Sequence, residues 1–320
     1  MRMLLNKVDE SVAQPAAASR GFSTELLEAV RCPNDGGQFV IVDEHVGDLV
    51  SDAGIRCCTC GAASEIRGGI LRLLPLQRPL SSLTSKEQDA RDRGANRYDA
   101  HFSEWSNAVE RDAMFGDSSL FRDKVVLDLA CGTGRMTVPI LGTARAIVAA
   151  DFSEQSLRVL ADKAGAGPKT RLGLVWCDVT QLRLATAFFD AVICAQLLEH
   201  IPLEGQRRIL LEQVAAGLKS AGCLLLTAYY YNLAKRFLRR PREGIHESGV
   251  FFHRFSYAEI VEEMPHSLLI SQMKALQIDP RLLPQQSRLR GWLARLLEPI
   301  ACARVLAHLV LVRAQKQTAA

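Results

Sequence analysis

Three aspartates, Asp128, Asp151 and Asp178, each close an apolar run: VVLD, AIVAAD and LGLVWCD. Between the first two lies a glycine-rich turn, Ala130-Cys131-Gly132-Thr133-Gly134. Short apolar runs of this kind, bounded by turn residues, read as buried strands of a parallel sheet. Their carboxyl ends would deliver all three acids to one edge, where open α/β sheets bind ligands. Gly132 and Gly134 let the chain turn tightly and a ligand approach the backbone. A helix expected after the turn would aim its unpaired N–H groups at the same place. Asp151 stands where a dinucleotide fold keeps the acid that holds a ribose diol. A dinucleotide, however, favours G-x-G-x-x-G without added negative charge. Here Asp128 precedes the turn, and Thr137 is the third residue after Gly134. A ligand with a cationic amino-acid end and an adenosine end fits better. Asp128 would face the ammonium side through water, Asp151 the ribose hydroxyls, and Asp178 with the Val179 amide the adenine.

The elements that must position these residues can be read in order. Val125–Asp128, Ala146–Asp151, Leu172–Asp178 and Ala191–Ala195 are four strands, and a helix covers Leu203 to Lys219 with Leu210, Val214 and Leu218 on one face. Ser220-Ala221-Gly222 stops it before a fifth strand, Cys223–Thr227. Leu306–Val312 reads as a late strand, with Leu268–Ala275 as its antiparallel partner and an amphipathic helix inserted between them near residues 286–300. Strands alternating with helices imply a parallel sheet with crossover connections. The domain expectation is a flexible tail at 1–23, a short-strand β domain at 24–78, a polar linker at 79–96 and the α/β domain at 97–320.

On these residues the chain resembles the class I S-adenosylmethionine-dependent methyltransferases. VVLDLACGTGRMT is similar to their first motif, AADF to the ribose-binding acid, and WCDVTQL to the adenine-binding acid. FFDAVICAQLLEHI and LLEQVAAGLKSAGCLLLTAY resemble the fourth-strand and fifth-strand segments, so the likeness runs from about Arg93 to Lys316. It implies a Rossmann-like, seven-stranded, mostly parallel sheet with helices on both faces. The implied cofactor residues are Tyr98, Asp128, Ala130, Gly132, Gly134, Asp151, Phe152, Asp178, Val179, Ala195 and Gln196. Tyr98 would be the aromatic placed over the cofactor from an N-terminal helix. Ala130 departs from the glycine often found there, and a small residue should be tolerated.

The front of the chain resembles a zinc ribbon of the methyltransferase-activator type. Cys57-Cys58-Thr59-Cys60 is an intact knuckle, whereas Cys32-Pro33-Asn34-Asp35 has a carboxylate at its second ligand position. Because zinc accepts carboxylate oxygen, Cys32, Asp35, Cys57 and Cys60 form a candidate structural zinc set. A metal-free remnant with a small hydrophobic core is the competing reading.

Methyl transfer mostly requires alignment and exclusion of water, and a base only if the acceptor must lose a proton. His246, in the loop Gly244–Gly249 after the fifth strand, is the first candidate, with His200 and His253 behind it. His253 precedes Ser256, a helix N-cap, and a capping or packing role competes there. Gln196-Leu197-Leu198-Glu199-His200 resembles the E-x-x-E-H of metal-assisted methyltransferases, but Gln196 replaces the first carboxylate, so Glu199-His200 reads as mainly structural. Tyr229-Tyr230-Tyr231 with Lys235, Arg236, Arg239 and Arg240 would line an acceptor pocket, touch phosphates or form a solvated face. Leu289, Trp292, Leu293, Leu296 and Leu297 make an apolar stripe that would cap the pocket, dock on a membrane surface or form a homodimer seam.

With 320 residues, 48% hydrophobic and 23% charged, the chain is too apolar for a disordered protein, and its net charge of +4 is far from that of an architectural nucleic-acid binder. No run reaches the ~18–20 apolar residues of a spanning helix. Asp9 and Glu10 interrupt the apolar stretch a signal peptide needs. Nine scattered cysteines suit reduced thiols, hence a cytoplasmic location. The expected function is methyl transfer to oxygen, nitrogen or carbon of a small molecule, in bacterial metabolite biosynthesis. An RNA base methyltransferase is the alternative, against which stands the absence of an N-P-P-Y-type tetrapeptide after the fourth strand. A non-catalytic cofactor-binding platform for a protein partner is the third reading.

Overall fold

The apolar runs pair into one large mixed sheet. The computed structural model describes residues 21–45, 47–101, 104–116, 118–165, 171–278 and 303–318. The inserted helix expected near 286–300, with its apolar stripe, lies outside these residues, as does most of the expected tail.

Eleven strands make the sheet. They are β1 (Phe39–Ile41), β2 (Ala53–Cys57), β3 (Ala63–Arg67), β4 (Ile70–Arg72), β5 (Val125–Leu129), β6 (Ala146–Asp151), β7 (Arg171–Trp176), β8 (Phe189–Ala195), β9 (Leu218–Tyr229), β10 (Leu268–Ile278) and β11 (Ala307–Lys316). Their spatial order is β10-β11-β9-β8-β5-β6-β7-β4-β3-β2-β1. Strands β5 to β9 are mutually parallel, and β10 and β11 close one side antiparallel, which is the expected seven-stranded Rossmann-like sheet. Successive strands run outward from β5 through β6 and β7, then resume at β8 on its other side. The strand order therefore reverses between β5 and β8, the place where such sheets bind ligands.

The N-terminal β segment is present and continues this sheet. β4 pairs parallel with β7, with Leu174 opposite Ile70 and Trp176 opposite Arg72, and β3, β2 and β1 follow as an antiparallel meander. In a seven-stranded sheet β7 would be an open edge with a row of unpaired backbone groups. Here β4 fills it. Short ladders add to the join: Val30–Arg31 pairs with Arg183–Leu184.

Side chains alternate across the pleat, so each strand feeds two cores. Val125, Leu127, Leu129, Val148 and Ala150 face a core shared with Leu210, Leu211 and Val214 and with Phe22, Leu26 and Leu71 of the N-terminal segment. Val126, Ile147, Ala149 and Leu174 face the other, with Leu157, Leu160, Met114 and Phe121.

Seven α-helices occur among the described residues: α1 (Ser82–His101), α2 (Glu104–Phe115), α3 (Glu154–Ala164), α4 (Glu204–Gly217), α5 (Leu233–Phe237), α6 (Tyr257–Glu263) and α7 (Ala303–Leu306). Most of the polar stretch expected as a linker at 79–96 is α1. No described helix is long and apolar enough to cross a membrane. The helix expected directly after the glycine turn is absent. A tight turn and the 3-10 segment Val138–Ile140 stand there, with Pro139 in its first turn. Proline lacks the N–H that an α-helix would need and its ring crowds the carbonyl four residues earlier. The stop expected at Ser220–Gly222 is a bulge inside β9, where the register against β8 slips between Phe189 and Ala191 and Ala221 takes φ +60°.

Because Leu71 of β4 is fully buried in the core shared with β5 and β6, Leu71→Ala should cost ~2–5 kcal/mol. Urea unfolding followed by tryptophan fluorescence should show this as a shift of one common transition. A separate early transition of the N-terminal segment would contradict the shared core.

Candidate active site

Beyond the carboxyl ends of β5 to β8 lies a cavity of ≈ 1730 Å³. Asp128, Ala130, Gly132, Asp151, Phe152, Asp178, Val179, Ala195, Gln196 and Tyr98 all line it. Gly134 does not. A Cβ at Gly134, which has φ +87°, would come within 2.4 Å of Leu160 Cδ1, so this glycine lets the turn pack on α3. Gly132, at φ +54°, has open space where its Cβ would point. Ala130 also adopts φ +54°, a left-handed conformation that costs an L-residue ~1–2 kcal/mol.

The acids do unequal jobs. Asp151 Oδ2 accepts from the Gly132 amide and Oδ1 from the Ser153 amide, both at 2.8 Å, so it fastens the glycine turn to β6. Each oxygen keeps a second lone pair. Burial pushes Asp151 upward, against the two amides. Asp128 is buried and accepts from Thr137 Oγ1 at 2.6 Å. Burial, helped by the nearby Asp151 charge, pushes it up to about 7. Asp178 caps the 3-10 turn Val179–Gln181, accepting from the Thr180 amide and hydroxyl and from Gln181 Nε2. Its own backbone is held by the Gln77 side-chain amide, which accepts from Asp178 N at 2.7 Å and donates to Asp178 O at 3.1 Å.

Helix α1 closes the cavity through polar contacts. Gln88 Nε2 donates to Phe152 O at 2.6 Å, Asp92 accepts from Ser153 Oγ at 2.6 Å, and Asp99 accepts from Thr133 Oγ1 at 2.8 Å. Glu87 and Arg91 pair at 3.2 Å inside it, with Arg91 over the Tyr98 ring. Below, Glu110 of α2 is fully buried. Its carboxylate accepts from Arg135, from Gln196 Nε2 at 2.7 Å and from Thr227 Oγ1 at 2.5 Å. Three separate segments thus meet on one side chain. Glu110, Arg91 and Gln77 carried no signal in the sequence, because a charged or amide residue in a polar stretch reads as surface.

The three candidate bases part company. His200 lines the cavity, and its Nδ1 lies 2.8 Å from Phe251 O. A carbonyl can only accept, so Nδ1 carries the proton and Nε2 the lone pair. Burial, with Arg91 nearby, holds His200 down to about 3, so it is neutral at any working pH. His246 also lines the cavity, in the tight hairpin between Glu243–Ile245 and Phe251–His253. His246, Tyr229 and His200 form a chain of edge-on rings, and Phe252 stacks on His246 at 4.5 Å. His253 is outside the cavity, between Glu243 at 3.3 Å and Glu259 at 3.2 Å. Glu259 and Ser256 there form a capping box at the start of α6. Glu199 is fully buried, and neither carboxylate oxygen has a hydrogen-bond partner, which fits a neutral acid kept protonated by burial.

Beyond the rings the cavity widens over α4, where Leu203, Gln206, Ile209 and Gln213 meet Leu76, Pro79 and Leu83. Its far wall includes Pro33 and Asn34 of the N-terminal segment. Next to these, donor atoms of Cys32, Asp35, Cys57 and Cys60 lie within 4.8 Å of one another. With Zn–S bonds of ~2.3 Å and Zn–O of ~2.0 Å, tetrahedral edges come to ~3.8 Å for two sulfurs and ~3.5 Å for sulfur and oxygen. Cys32 Sγ and Cys60 Sγ are 3.7 Å apart, and Cys57 Sγ and Asp35 Oδ1 3.4 Å. The set has the size and donor chemistry of a zinc site.

A cavity at the switch point of a parallel sheet in which β11, between β9 and β10, runs antiparallel to both is the architecture of a Rossmann-like methyltransferase fold. Residues 126–222 match the family model described as "Methyltransferase domain". Over 127 residues it is 28% identical to the mitochondrial ubiquinone biosynthesis O-methyltransferase of Schizosaccharomyces pombe, covering 39% of this chain and 45% of the relative. The chain thus spans less than half the length of that curated relative. Among solved structures, the Burkholderia thailandensis 1,6-didemethyltoxoflavin-N1-methyltransferase, with 1,6-didemethyltoxoflavin and S-adenosylhomocysteine bound, superposes with a TM-score of 0.51 at 17% identity, covering 76% of this chain and 93% of that one. The N-methyltransferase NodS of Bradyrhizobium japonicum gives a TM-score of 0.47 at 13% identity over 68% of this chain and all (100%) of that one.

The folded protein holds the Asp128 proton up to about pH 7, whereas an unfolded aspartate releases it near ~3.9. Stability from this residue is therefore present in acid and lost as pH rises from about 4 to about 7, levelling off above. Asp128→Asn keeps an acceptor for Thr137 and removes the titration. Relative to wild type, the variant should gain on the order of a few kcal/mol across that window in urea unfolding, and a flat difference would contradict a buried neutral Asp128.

Proposed function

We propose that this chain is an S-adenosylmethionine-dependent methyltransferase acting on a hydroxyl of a small, partly apolar molecule. The observation that carries this reading is one continuous cavity running from the Gly132, Asp151 and Asp178 rim to the Tyr229, His200 and His246 rings. S-adenosylmethionine supplies, when bound, a methyl group on a positively charged sulfur. The rim fits such a cofactor: Gly132 leaves room for a ligand against the backbone, Asp151 retains lone pairs for ribose hydroxyls, and Asp128 and Asp151 suit a cation. Asp178, Val179 and Phe152 would receive the adenine end, and Ala130, Ala195, Gln196 and Tyr98 the amino-acid end.

On the acceptor side, the aromatic rings and the apolar α4 wall exclude water and orient a flat or greasy substrate. His200 Nε2 is the proton acceptor. Its bond to the Phe251 carbonyl fixes the tautomer, and its low basicity is sufficient because an acceptor hydroxyl becomes strongly acidic as its oxygen gains the methyl group as a third substituent and develops positive charge. His246 faces the same space and stacks rather than accepts. The Schizosaccharomyces pombe relative, an O-methyltransferase of ubiquinone biosynthesis by its name, supports an oxygen acceptor.

Asp151→Ala should weaken S-adenosylhomocysteine binding by ~1–3 kcal/mol in titration calorimetry, and unchanged binding would remove Asp151 from the cofactor site. For turnover, cell extract incubated with methyl-labelled cofactor should place the label in small organic molecules. Label in RNA would overturn the acceptor class. Once an acceptor is in hand, His200→Asn, which keeps a donor for Phe251 O, should lower kcat by ~10²–10⁴ with cofactor affinity unchanged.

A further inference from the structure

The turn that carries two of the four metal-type donors is also a wall of the cavity. Pro33 and Asn34 lie between Cys32 and Asp35 and line it. The Pro33 carbonyl accepts from Arg183 Nε at 3.1 Å. The residues just before the turn are laddered to the same place: Val30–Arg31 pairs with Arg183–Leu184, and Ala185 N donates to Ala29 O at 2.9 Å. Arg183 directly follows Asp178–Leu182, the loop that lines the adenine side of the cavity. From the opposite side, Gln77 holds the Asp178 backbone, while Arg78 N donates to Gln181 Oε1 at 2.8 Å and Gln181 Nε2 donates to Arg78 O at 3.2 Å. The loop is therefore clasped between two parts of the N-terminal segment.

One of those parts, the 32–37 turn, has mainly local backbone bonds of its own. Within the 32–37 turn the bonds are short-range: Gly36 N to Cys32 O, Cys32 N to Gly37 O and Gly37 N to Asp35 Oδ1, each at 2.8 Å. Asn34 and Asp35 are exposed. A metal bound by the four donors would cross-link this turn to Cys57 and Cys60, and the Cys32–Cys60 and Cys57–Asp35 spacings are already those of tetrahedral edges. Asp35 in place of a fourth thiolate makes the set harder and less retentive for a zinc-type ion, so its occupancy can vary.

We propose that a zinc-type ion held by Cys32, Asp35, Cys57 and Cys60 braces the 178–183 loop through Pro33 and Arg183, so that metal occupancy raises the affinity of the cavity for its adenosine-bearing cofactor. This rests on the methyltransferase reading of the cavity. Linkage makes the effect reciprocal: cofactor must tighten metal binding by the same factor.

The test uses the full chain, stripped with a chelator and reloaded with zinc, and titrated with S-adenosylhomocysteine. Loaded protein should bind about tenfold more tightly than stripped protein, within the usual range of coupling between sites. Zinc affinity, read by competition with a chromophoric chelator, should rise by the same factor when S-adenosylhomocysteine is present. That second measurement holds even if stripping loosens the fold. Cys60→Ser should show the stripped affinity with or without zinc. Arg183→Ala should still take up one zinc by elemental analysis, but its loaded-to-stripped ratio should fall to about one. Asp35→Cys should retain zinc more firmly and keep the ratio. Failure to take up stoichiometric zinc, or equal cofactor affinity in the two metal states, overturns the proposal while leaving the cavity's assignment intact. Zinc uptake without S-adenosylhomocysteine binding in either state overturns the cofactor assignment itself.

Discussion

A carboxylate with no access to solvent must find donors within the protein, and Glu110 finds them on three strands' worth of chain. Arg135 comes from the turn after β5, Gln196 from the end of β8 and Thr227 from β9. Leaving such a charge unpaired costs several kcal/mol, so these segments and α2 can settle only together. The arrangement has a local consequence. Gln196 reaches Glu110 from a left-handed backbone, φ +54°, which turns the chain at the lip of the cavity. The lip of the cavity is therefore set by a buried charge beneath it rather than by the strands alone.

Above that anchor the cavity is arranged around charges that are muted. Asp128 holds a proton up to about 7 and His200 is held neutral by burial. Arg91 is paired with Glu87, and Asp151 with two amides. A cation entering near Asp128 would favour its ionised form, so the site holds latent negative charge that a positively charged ligand can call up.

Much of the central architecture could be read from residue order. Apolar runs ending on Asp128 and Asp151 mark strands because period-two burial on both faces leaves no room for polar residues until the strand ends. The glycine turn was readable for the same steric reason. What escaped was polar and non-local. Helix α1 looked like a linker because its inward positions include Glu87, Gln88, Arg91 and Asp92, which bond rather than pack, so no apolar stripe marks it. The helix expected after Gly134 is absent, because Pro139 sits where its backbone N–H would be needed. The pairing of β4 with β7 is invisible to any local pattern, since Ile70 and Leu174 meet from opposite sides of α1 and α2. Of the site, the rim acids, Gly132 and two of three histidines meet in one cavity, while Gly134 packs on α3 instead; the residues that hold them in place, Glu110 and Gln77, looked like ordinary surface.

That β4–β7 ladder also orders events during synthesis. The N-terminal meander leaves the ribosome first and can close its own hairpins, but the far side of β4 faces no partner until β7 emerges, after α1, α2, β5 and β6 have been made. Until then an apolar, unpaired strand waits in the open, a state prone to wrong partners. The front of the protein can therefore reach its final neighbour only once the central strands have been completed.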